Sequence, residues 1–412
     1  MSIIGTIPFC LSGSCGFIDA LFETVSGFTT TGASIFDDVE HLSKSILFFR
    51  SFTHFIGGMG ILTFVMAVIP LSKKDNSMHI LKAEMPGPSV SKLVPSTKKT
   101  LFYLYSIYIG LTVVEMILLL IGGMPLFDSI LISMGTAGTG GFGIKNDSMA
   151  SYTTYQRWVT TIFMILFGIN FNAYYFMFFH NIKKAFAMEE VRYYLSIIAA
   201  AITVVSLETF RIFGSVFETL THASFQVASI ITTTGFSSVD FDTWSESSKV
   251  VLVLLMFIGA CAGSTGGGIK VSRFILVIKT VFKEIGSYLH PRSIKKINLD
   301  DKPVEHEVMR ATNVYFVTFF VIFVFSLLVV SLEEKDLVTN FTAVTATINN
   351  IGPGLEMVGP TANFAHFNPF TKWVLMFDML AGRLELFPML MLFVPQIWKD
   401  FFARTGTPAS GK

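Results

Sequence analysis

Four copies of a short threonine- and glycine-rich string are the residues of this sequence best suited to chemistry. The two strong copies are GFTTTGAS at residues 27–34 and SIITTTGFS at residues 229–237. Weaker copies are AGTGGFG at residues 137–143 and INNIGPG at residues 348–354. A dehydrated potassium ion needs oxygens that replace its water shell, and rings of backbone carbonyls supply them. Four spaced strings of this type therefore indicate a four-fold ion filter.

Each string carries an anchor glycine, where φ > 0 has no steric cost and the carbonyls can turn toward an axis. Threonine hydroxyls can add ligands at the inner edge. Close helix packing by small residues explains a single copy equally well, but four copies, each directly after a short apolar segment, favour the filter. The predicted filter residues are Thr30, Thr31, Gly32, Thr139, Gly140, Gly141, Thr233, Thr234, Gly235, Asn350, Ile351 and Gly352.

The composition indicates a membrane protein. The chain has 412 residues, of which 52% are hydrophobic and 14% charged, and 43 are phenylalanine. Its mean hydropathy is +0.61, which is too apolar for an ordinary soluble domain. The net charge of +1 argues against a nucleic-acid binder, which carries a clustered basic excess. Cys10 and Cys15 are close enough in sequence for a disulfide, although a pair at this spacing is weak support for one.

The apolar stretches fall into two length classes. Seven are long enough, or nearly so, to cross a bilayer, for which about 20 apolar residues are needed. They are residues 45–70, 100–121, 157–180, 193–213, 249–282, 310–332 and 372–397. Four shorter segments lead directly into the strings, and their length is typical of re-entrant helices. They are residues 18–30, 126–138, 217–231 and 338–349.

This order predicts an all-α polytopic membrane protein, with four pseudo-repeated span–pore helix–span units around a central ion pore. The chain opens almost directly on a pore segment, so the first unit is expected to lack its leading span. The predicted units are residues 1–72 (incomplete), 98–184, 190–290 with a broken second span, and 305–404. Residues 73–97 and 291–304 are the predicted cytoplasmic loops.

The distribution of charge predicts the orientation. Lysine and arginine concentrate in the loops that follow each unit and in the C-terminal tail, whereas the loops that carry the strings are acidic. Because basic loops stay in the cytoplasm, the filters should face outside and the C-terminus should be cytoplasmic.

The fifth apolar stretch is interrupted by residues 263–268, GSTGGG, followed by Ile269 and Lys270. A phosphate-binding loop is excluded because the G-x-x-x-x-G-K-[ST] pattern is absent and no strand precedes it. A flexible gate beneath the third filter is favoured, with a simple packing kink as the alternative. The predicted gating residues are Gly263, Ser264, Thr265, Gly266, Gly267, Gly268, Lys270 and Arg383.

Arg383 lies near the middle of the last apolar stretch, where a charge is costly and usually functional. Asp378 and Glu385 are expected to share a helix face, and Arg383 projects about 140° from Asp378 at roughly 100° per residue. Either the arginine meets the pore and the acids bond neighbouring helices, or the reverse. Lys270 is expected near the same axis, and a buried structural ion pair is the alternative for both basic residues. His54 and His180 are interpreted as packed side chains.

Three function classes compete. A channel-like potassium uptake protein is favoured because the repeats share one orientation, with all filters on one side. A sodium- or proton-coupled secondary transporter is the alternative. That class would predict inverted repeats with broken helices that meet at the midplane. A membrane enzyme is disfavoured because no catalytic Ser/His/Asp or Cys/His grouping is visible, and no cofactor or transition-metal site is expected.

The sequence resembles the Trk/Ktr/HKT superfamily of potassium transporters, most closely its bacterial Trk-type membrane subunits. The matching strings are residues 28–33, 56–60, 83–88, 232–236, 263–271, 349–354 and 382–385. The resemblance implies a potassium-conducting subunit of the bacterial cytoplasmic (inner) membrane, with K⁺ bound at the four strings, residues 263–268 as an intramembrane gate and a pore-facing Arg383. It also implies a homodimer controlled by a cytosolic ring of nucleotide-binding regulatory subunits.

The sequence departs from the superfamily at its start. Members have a leading span before the first pore segment, and Trk types have two more helices before that span. We therefore expect either a truncated reading frame or translation that begins upstream of Met1.

Overall fold

The computed structural model describes residues 1–60, 97–179, 182–290 and 296–395. The predicted helical fold is confirmed, and the strands of the described chain are two-residue segments. The helices are α1 Ser2–Leu11, α2 Phe17–Phe28, α3 Lys44–Met59, α4 Thr97–Ile121, α5 Leu126–Gly138, α6 Thr154–Phe167, α7 Phe171–Phe179, α8 Ile182–Ala187, α9 Glu189–Phe213, α10 Val216–Ile231, α11 Glu246–Ile258, α12 Val271–Leu289, α13 His306–Val330, α14 Leu337–Ile348, α15 Pro369–Arg383 and α16 Leu386–Met391.

The four short apolar segments form α2, α5, α10 and α14, and each helix ends directly in its string. Local signals account for several helix starts. Asp336 caps α14 by accepting a hydrogen bond from the Thr339 amide, and Thr153 forms a capping box with Gln156 at the start of α6. The C-terminal halves of the short helices, which lead into the strings, are almost entirely buried, whereas their first turns are partly exposed.

Three described helices are individually long and apolar enough to cross a membrane: Phe102–Ile121 within α4, α9, and α13 with its 3₁₀ extension to Glu333. The predicted span at 157–180 is wrong as a single helix, because α6 and α7 meet at an angle of 94°. The break is stabilised by backbone pairing with the glycine-rich loop, since the Phe171 amide donates to Gly263 and the Cys261 amide donates to Gly168.

The stretch at 249–282 is broken at the predicted loop. Helix α11 ends at Ile258 and α12 begins at Val271, so the non-helical segment extends beyond residues 263–268 on both sides. Backbone hydrogen bonds from Lys270 to Ile258 and from Val271 to Ala260 close the segment into a compact loop. The chain therefore enters and leaves the loop at nearly the same place.

The last apolar stretch is also broken, which the sequence analysis did not predict. Helix α15 ends at Arg383, and Glu385, with φ of 68°, precedes the short helix α16. The expectation that Asp378 and Glu385 share a helix face is therefore wrong, because they lie on opposite sides of this break.

The first unit contains a helix that the sequence analysis missed. Helix α1 packs on α2 so closely that a methyl group on Gly5 would lie 2.5 Å from Cγ2 of Thr24. Phe9 of α1 also contacts Phe49 of α3, with ring centroids 5.7 Å apart. Helix α1 thus covers one face of the short apolar segment at 18–30.

Other predictions from the sequence concern segments that lie outside or between these helices. The end of the stretch at 45–70, the string at 83–88, His180 and the basic tail lie outside the described residues. The predicted loop at 291–304 contains a small hairpin in which β1 (Asn298–Leu299) pairs antiparallel with β2 (Lys302–Pro303). Cys10 and Cys15 are free thiols, so the disulfide considered from the sequence is not formed.

Candidate ion-binding site

The four strings share one backbone conformation. The residue two positions before each anchor glycine is left-handed, with φ of 55°, 54°, 59° and 57° at Thr30, Thr139, Thr233 and Asn350. The anchor glycines also have positive φ, of 81°, 74°, 86° and 94° in chain order. A left-handed non-glycine residue is uncommon, so its recurrence at the same place in four strings marks a repeated local structure.

The strings contact one another in a closed ring. A methyl group on each anchor glycine would strike the carbonyl oxygen that precedes the anchor glycine of the next string. The separations are 2.0 Å from Gly32 to Gly140, 2.0 Å from Gly141 to Thr234, 2.2 Å from Gly235 to Ile351 and 2.8 Å from Gly352 to Thr31. All four glycines line one cavity of about 120 Å³. The order runs from string one through string four and back to string one.

Side chains brace the individual strings. Thr29 and Thr31 share a hydroxyl hydrogen bond of 2.8 Å in string one, and Thr232 and Thr234 share one of 2.8 Å in string three. In string four, Asn350 donates from Nδ2 to the Thr31 hydroxyl at 2.9 Å, which ties the last string to the first. Glycines occupy the corresponding threonine positions of string two, so it has no hydroxyl pair of this kind.

A buried ion pair stands behind strings one and two. Arg50 of α3 is 2% exposed and Glu23 of α2 is 0% exposed, and Arg50 Nε lies 2.8 Å from the carboxylate. Arg50 also donates to the Gly143 carbonyl, while Glu23 accepts from the Ile35 amide. The pair therefore connects the outer ends of two strings. Sequence reasoning missed it, although charges inside apolar segments were the signal that selected Arg383.

Replacing Arg50 by alanine should destabilise the fold, because it leaves the Glu23 carboxylate buried without its cation. Breaking a buried pair in this way costs about 3–5 kcal/mol. We expect a large drop in the thermal unfolding temperature of the purified protein in detergent. Lys249→Ala is the matched control, since its nearer partner Glu246 is 87% exposed, its second partner Asp242 is 3.9 Å away, and such surface pairs contribute roughly 0–1 kcal/mol. Equal shifts in the two variants would contradict the assigned role of Arg50.

The glycine-rich loop lies against the inner ends of three strings. The Thr139 hydroxyl donates to the Thr265 carbonyl at 3.0 Å, and the Gly267 amide donates to the Thr233 hydroxyl at 2.6 Å. The Gly268 amide donates to the Asn349 carbonyl at 3.0 Å. These bonds join the loop to strings two, three and four on the side opposite the glycine-lined cavity.

Two basic side chains donate hydrogen bonds to adjacent carbonyls of this loop. Arg383 donates to the Thr265 carbonyl at 2.9 Å and also to the carbonyls of Gly57 and Gly58 at the end of α3. Lys270, which is 1% exposed, donates to the Gly266 carbonyl. The structure thus brings together the predicted loop, Lys270 and Arg383.

The two acids near Arg383 have other partners. Asp378 accepts a hydrogen bond of 2.7 Å from Ser326 of α13. Glu385 receives both of its bonds from Arg273 of α12, at 2.6 and 2.7 Å. The acids therefore contact neighbouring helices, while Arg383 contacts the loop.

Glu190, at the start of α9, holds the two ends of the loop together. Its Oε1 accepts from the Ala262 amide at 2.7 Å and from the Ser272 amide at 3.2 Å. Its other oxygen lies 3.4 Å from Nδ2 of Asn170, in the break between α6 and α7. Sequence reasoning missed this residue, because its partners are 20 to more than 70 positions away.

Two carboxylates lie beside the cavity that the anchor glycines line, because Asn146 of the cavity wall binds both of them. Asn146 lies in the loop after string two. Its side-chain Nδ2 donates to Asp38 at 2.9 Å, and its backbone amide donates to Glu40 at 3.1 Å. The Asn146 hydrogen bond holds the pKa of Asp38 below its usual value, so this carboxylate stays charged beside the cavity.

These features define the class of protein. Within the described residues, no group of three His, Cys, Asp or Glu side chains is placed to hold a metal ion. The described chain combines helices of membrane-spanning length with a buried ring of backbone carbonyls. This is the architecture of a polytopic membrane transport protein.

The chain belongs to the TrkH family of cation transport proteins, which matches residues 1–403. The family consists of transporters rather than enzymes, as the sequence predicted. The chain is 34% identical over 404 residues to the Trk system potassium uptake protein TrkH of Salmonella typhimurium, covering 96% of this chain and 83% of that protein. It is 34% identical over 409 residues to the Trk system potassium uptake protein TrkG of Escherichia coli, covering 97% and 83%.

A solved structure has the same fold. The crystal structure of the potassium transporter TrkH from Vibrio parahaemolyticus superposes with a TM-score of 0.85 at 31% sequence identity. The superposition covers 96% of this chain and 83% of that one.

Proposed function

We propose that this chain conducts potassium ions across the bacterial cytoplasmic (inner) membrane, through a filter built from the four strings. The observation that carries the proposal is the closed ring of contacts between each anchor glycine and the carbonyl of the next string. Rings of backbone carbonyls replace the hydration shell of a dehydrated potassium ion. The relatives are potassium uptake proteins, which supports potassium as the ion.

The strings supply two kinds of ligand in this proposal. Carbonyl oxygens of the residues before the anchor glycines surround the ion, because the glycines leave no side chain in the ring. The left-handed threonines Thr30, Thr139 and Thr233 add hydroxyls at the inner edge. Asn350 takes the corresponding place in string four, where its amide braces Thr31.

Residues 263–268 act as a gate in this proposal. The support is their set of hydrogen bonds to the inner ends of three strings and to Arg383. Arg383 places positive charge beneath the ring, where it opposes the passage of a cation, and Lys270 binds the neighbouring carbonyl of the loop. Opening requires the loop to leave these hydrogen bonds, and its glycines permit the change of backbone conformation.

The remaining proposals concern orientation and partners. The basic loops support a cytoplasmic C-terminus and filters that face outside. The family resemblance supports a homodimer controlled by a cytosolic ring of nucleotide-binding regulatory subunits. Because the gate residues lie on the inner side of the strings, a cytosolic partner would act on them from the side that it occupies.

The experiment combines growth with flux. Expression in a bacterium that lacks potassium uptake should restore growth at low potassium, and Gly235→Ser, a filter substitution, should restore it less well when sodium is in excess. Purified protein in liposomes should then pass K⁺ down its own gradient with no sodium or proton gradient present. Flux that requires either gradient would favour the sodium- or proton-coupled alternative, and growth without any K⁺ flux would overturn the proposal.

A further inference from the structure

His54 of α3 is buried directly behind string two. The side chain is 0% exposed, and its ring stacks on Phe142 with centroids 4.1 Å apart and an interplanar angle of 23°. A methyl group on Gly140 would lie 2.3 Å from both Cγ and Nδ1 of the imidazole. The ring therefore fills the space where string two would carry a side chain.

This arrangement explains why string two differs from strings one and three. Those strings place threonines one and three positions before the anchor glycine, and the two hydroxyls hydrogen-bond to each other. String two has Gly140 and Gly138 at the same positions. The imidazole occupies the room that the Gly140 side chain would need, so bracing from a neighbouring helix replaces bracing within the string.

The rest of α3 continues the same contact. Arg50, one turn earlier, places Cζ 4.2 Å from the centre of the Phe142 ring. Gly58, one turn later, approaches string two so closely that a methyl group added to it would lie 2.6 Å from Cα of Gly138. Phe142, which follows the anchor glycine of string two, is thus held by Arg50 and His54 together.

The protein contacts of the imidazole are made by its ring. Within the described part of the chain, neither ring nitrogen of His54 has a hydrogen-bond partner. A buried polar group without a partner is unfavourable, whereas an apolar group of the same shape is tolerated. An aromatic ring without polar atoms that keeps the stacking on Phe142 should therefore be accepted at this position.

We propose that His54 is a positioning residue for ion selectivity, which sets the path of string two by occupying the space beside Gly140 and stacking on Phe142. The inference rests on the proposed potassium filter, because it assigns a cause to the geometry of one of its strings. It predicts that His54 and Gly140 are energetically coupled although they are distant in sequence.

The test measures the K⁺/Na⁺ permeability ratio from reversal potentials of the full chain in planar bilayers. This ratio does not depend on how much protein is assembled. Gly140→Ala should lower the ratio at least about tenfold, and adding His54→Ala should recover a substantial part of the loss, as expected for residues in contact. His54→Ala alone should lower the ratio, while His54→Phe should keep it near the wild-type value because the stacked ring is retained.

Gly138→Ala is the matched control. Its methyl group would lie 2.2 Å from the backbone oxygen of His54 rather than from the ring, so His54→Ala should not rescue it. Where Gly140→Ala does not assemble, recovery of the size-exclusion peak by His54→Ala supports the inference, and no recovery overturns it.

The remaining outcomes separate this inference from the proposed function. An unchanged ratio in His54→Ala, or equal rescue of Gly138→Ala and Gly140→Ala, would overturn the role of His54 while leaving the filter intact. A wild-type protein that does not distinguish K⁺ from Na⁺ would overturn the filter, and this inference with it.

Discussion

Gly235→Ser is expected to remove most of the discrimination between potassium and sodium. Two causes act together. Gly235 has φ of 86°, which strains any residue with a side chain, and its new Cβ would lie 2.2 Å from the carbonyl oxygen of Ile351. That oxygen belongs to the backbone of string four and cannot rotate away like a flexible side chain. The substitution therefore distorts two strings at once.

The measurement is the K⁺/Na⁺ permeability ratio, with Gly32→Ser tested in parallel because its Cβ would lie 2.0 Å from the Gly140 oxygen. Gly352→Ser should have a smaller effect, since its nearest backbone oxygen is 2.8 Å away. Gly110→Ser on α4 is the matched control, because nothing lies within 4 Å of its added Cβ. Unchanged selectivity in Gly32→Ser and Gly235→Ser would exclude the strings as the filter.

Arg383→Ala is expected to raise potassium flux about tenfold or more. The substitution removes hydrogen bonds to Thr265 of the loop and to Gly57 and Gly58 of α3. It also removes a positive charge from beneath the ring. At 4 Å and an effective dielectric near 20, repulsion between this charge and a potassium ion is about 4 kcal/mol, and a barrier lowered by only about 1.4 kcal/mol gives a tenfold rate.

The initial rate of K⁺ flux into liposomes, normalised to the amount of assembled protein, measures this effect. Arg273→Ala is the matched control, because Arg273 is also buried but binds Glu385 and the Ile269 carbonyl rather than residues 263–268. That variant, like Glu385→Ala, should lower the amount of assembled protein without raising the flux per molecule. If Arg383→Ala leaves flux unchanged and destabilises the protein, the arginine is a structural partner and not a barrier.

Deletion of residues 264–267 tests whether the loop and the arginine act together. The deletion should raise flux as Arg383→Ala does, because Thr265 supplies the loop carbonyl that Arg383 binds. Combining the two changes should give little further increase. Independent, multiplied increases would mean that the loop and the arginine obstruct the pathway separately, and an assembled deletion variant that conducts no faster would exclude the loop as a gate.

The sequence was most informative where one local pattern fixed the structure. Each short helix ends in a string because its apolar run stops at residues that leave helical geometry, as Thr30 and Gly32 do. The loop at 263–268 was predictable for the same reason, since three consecutive glycines cannot favour a helix. The break after Phe167 carried a weaker signal, a single glycine, and it is stabilised by backbone partners almost 100 positions away.

Contacts between distant segments could not be predicted from the sequence. The pair formed by Glu23 and Arg50 is visible as two charges in apolar segments, but its role depends on which strings it touches. His54 was interpreted as a packed side chain, which is correct but incomplete, because only the structure shows that it packs on string two. Likewise, the partners of Arg383 became clear only after the fold placed α3 and the loop beside it.

The closed ring has a direction, and this has a consequence for genetics. Each anchor glycine meets the carbonyl of the following string, so a bulky residue at one anchor displaces the next string and not the preceding one. Because one chain supplies all four strings, each position is also encoded separately. Second-site revertants of a Gly235 substitution therefore belong around Ile351, where the backbone must yield, while those of a Gly32 substitution belong around Gly140 and His54.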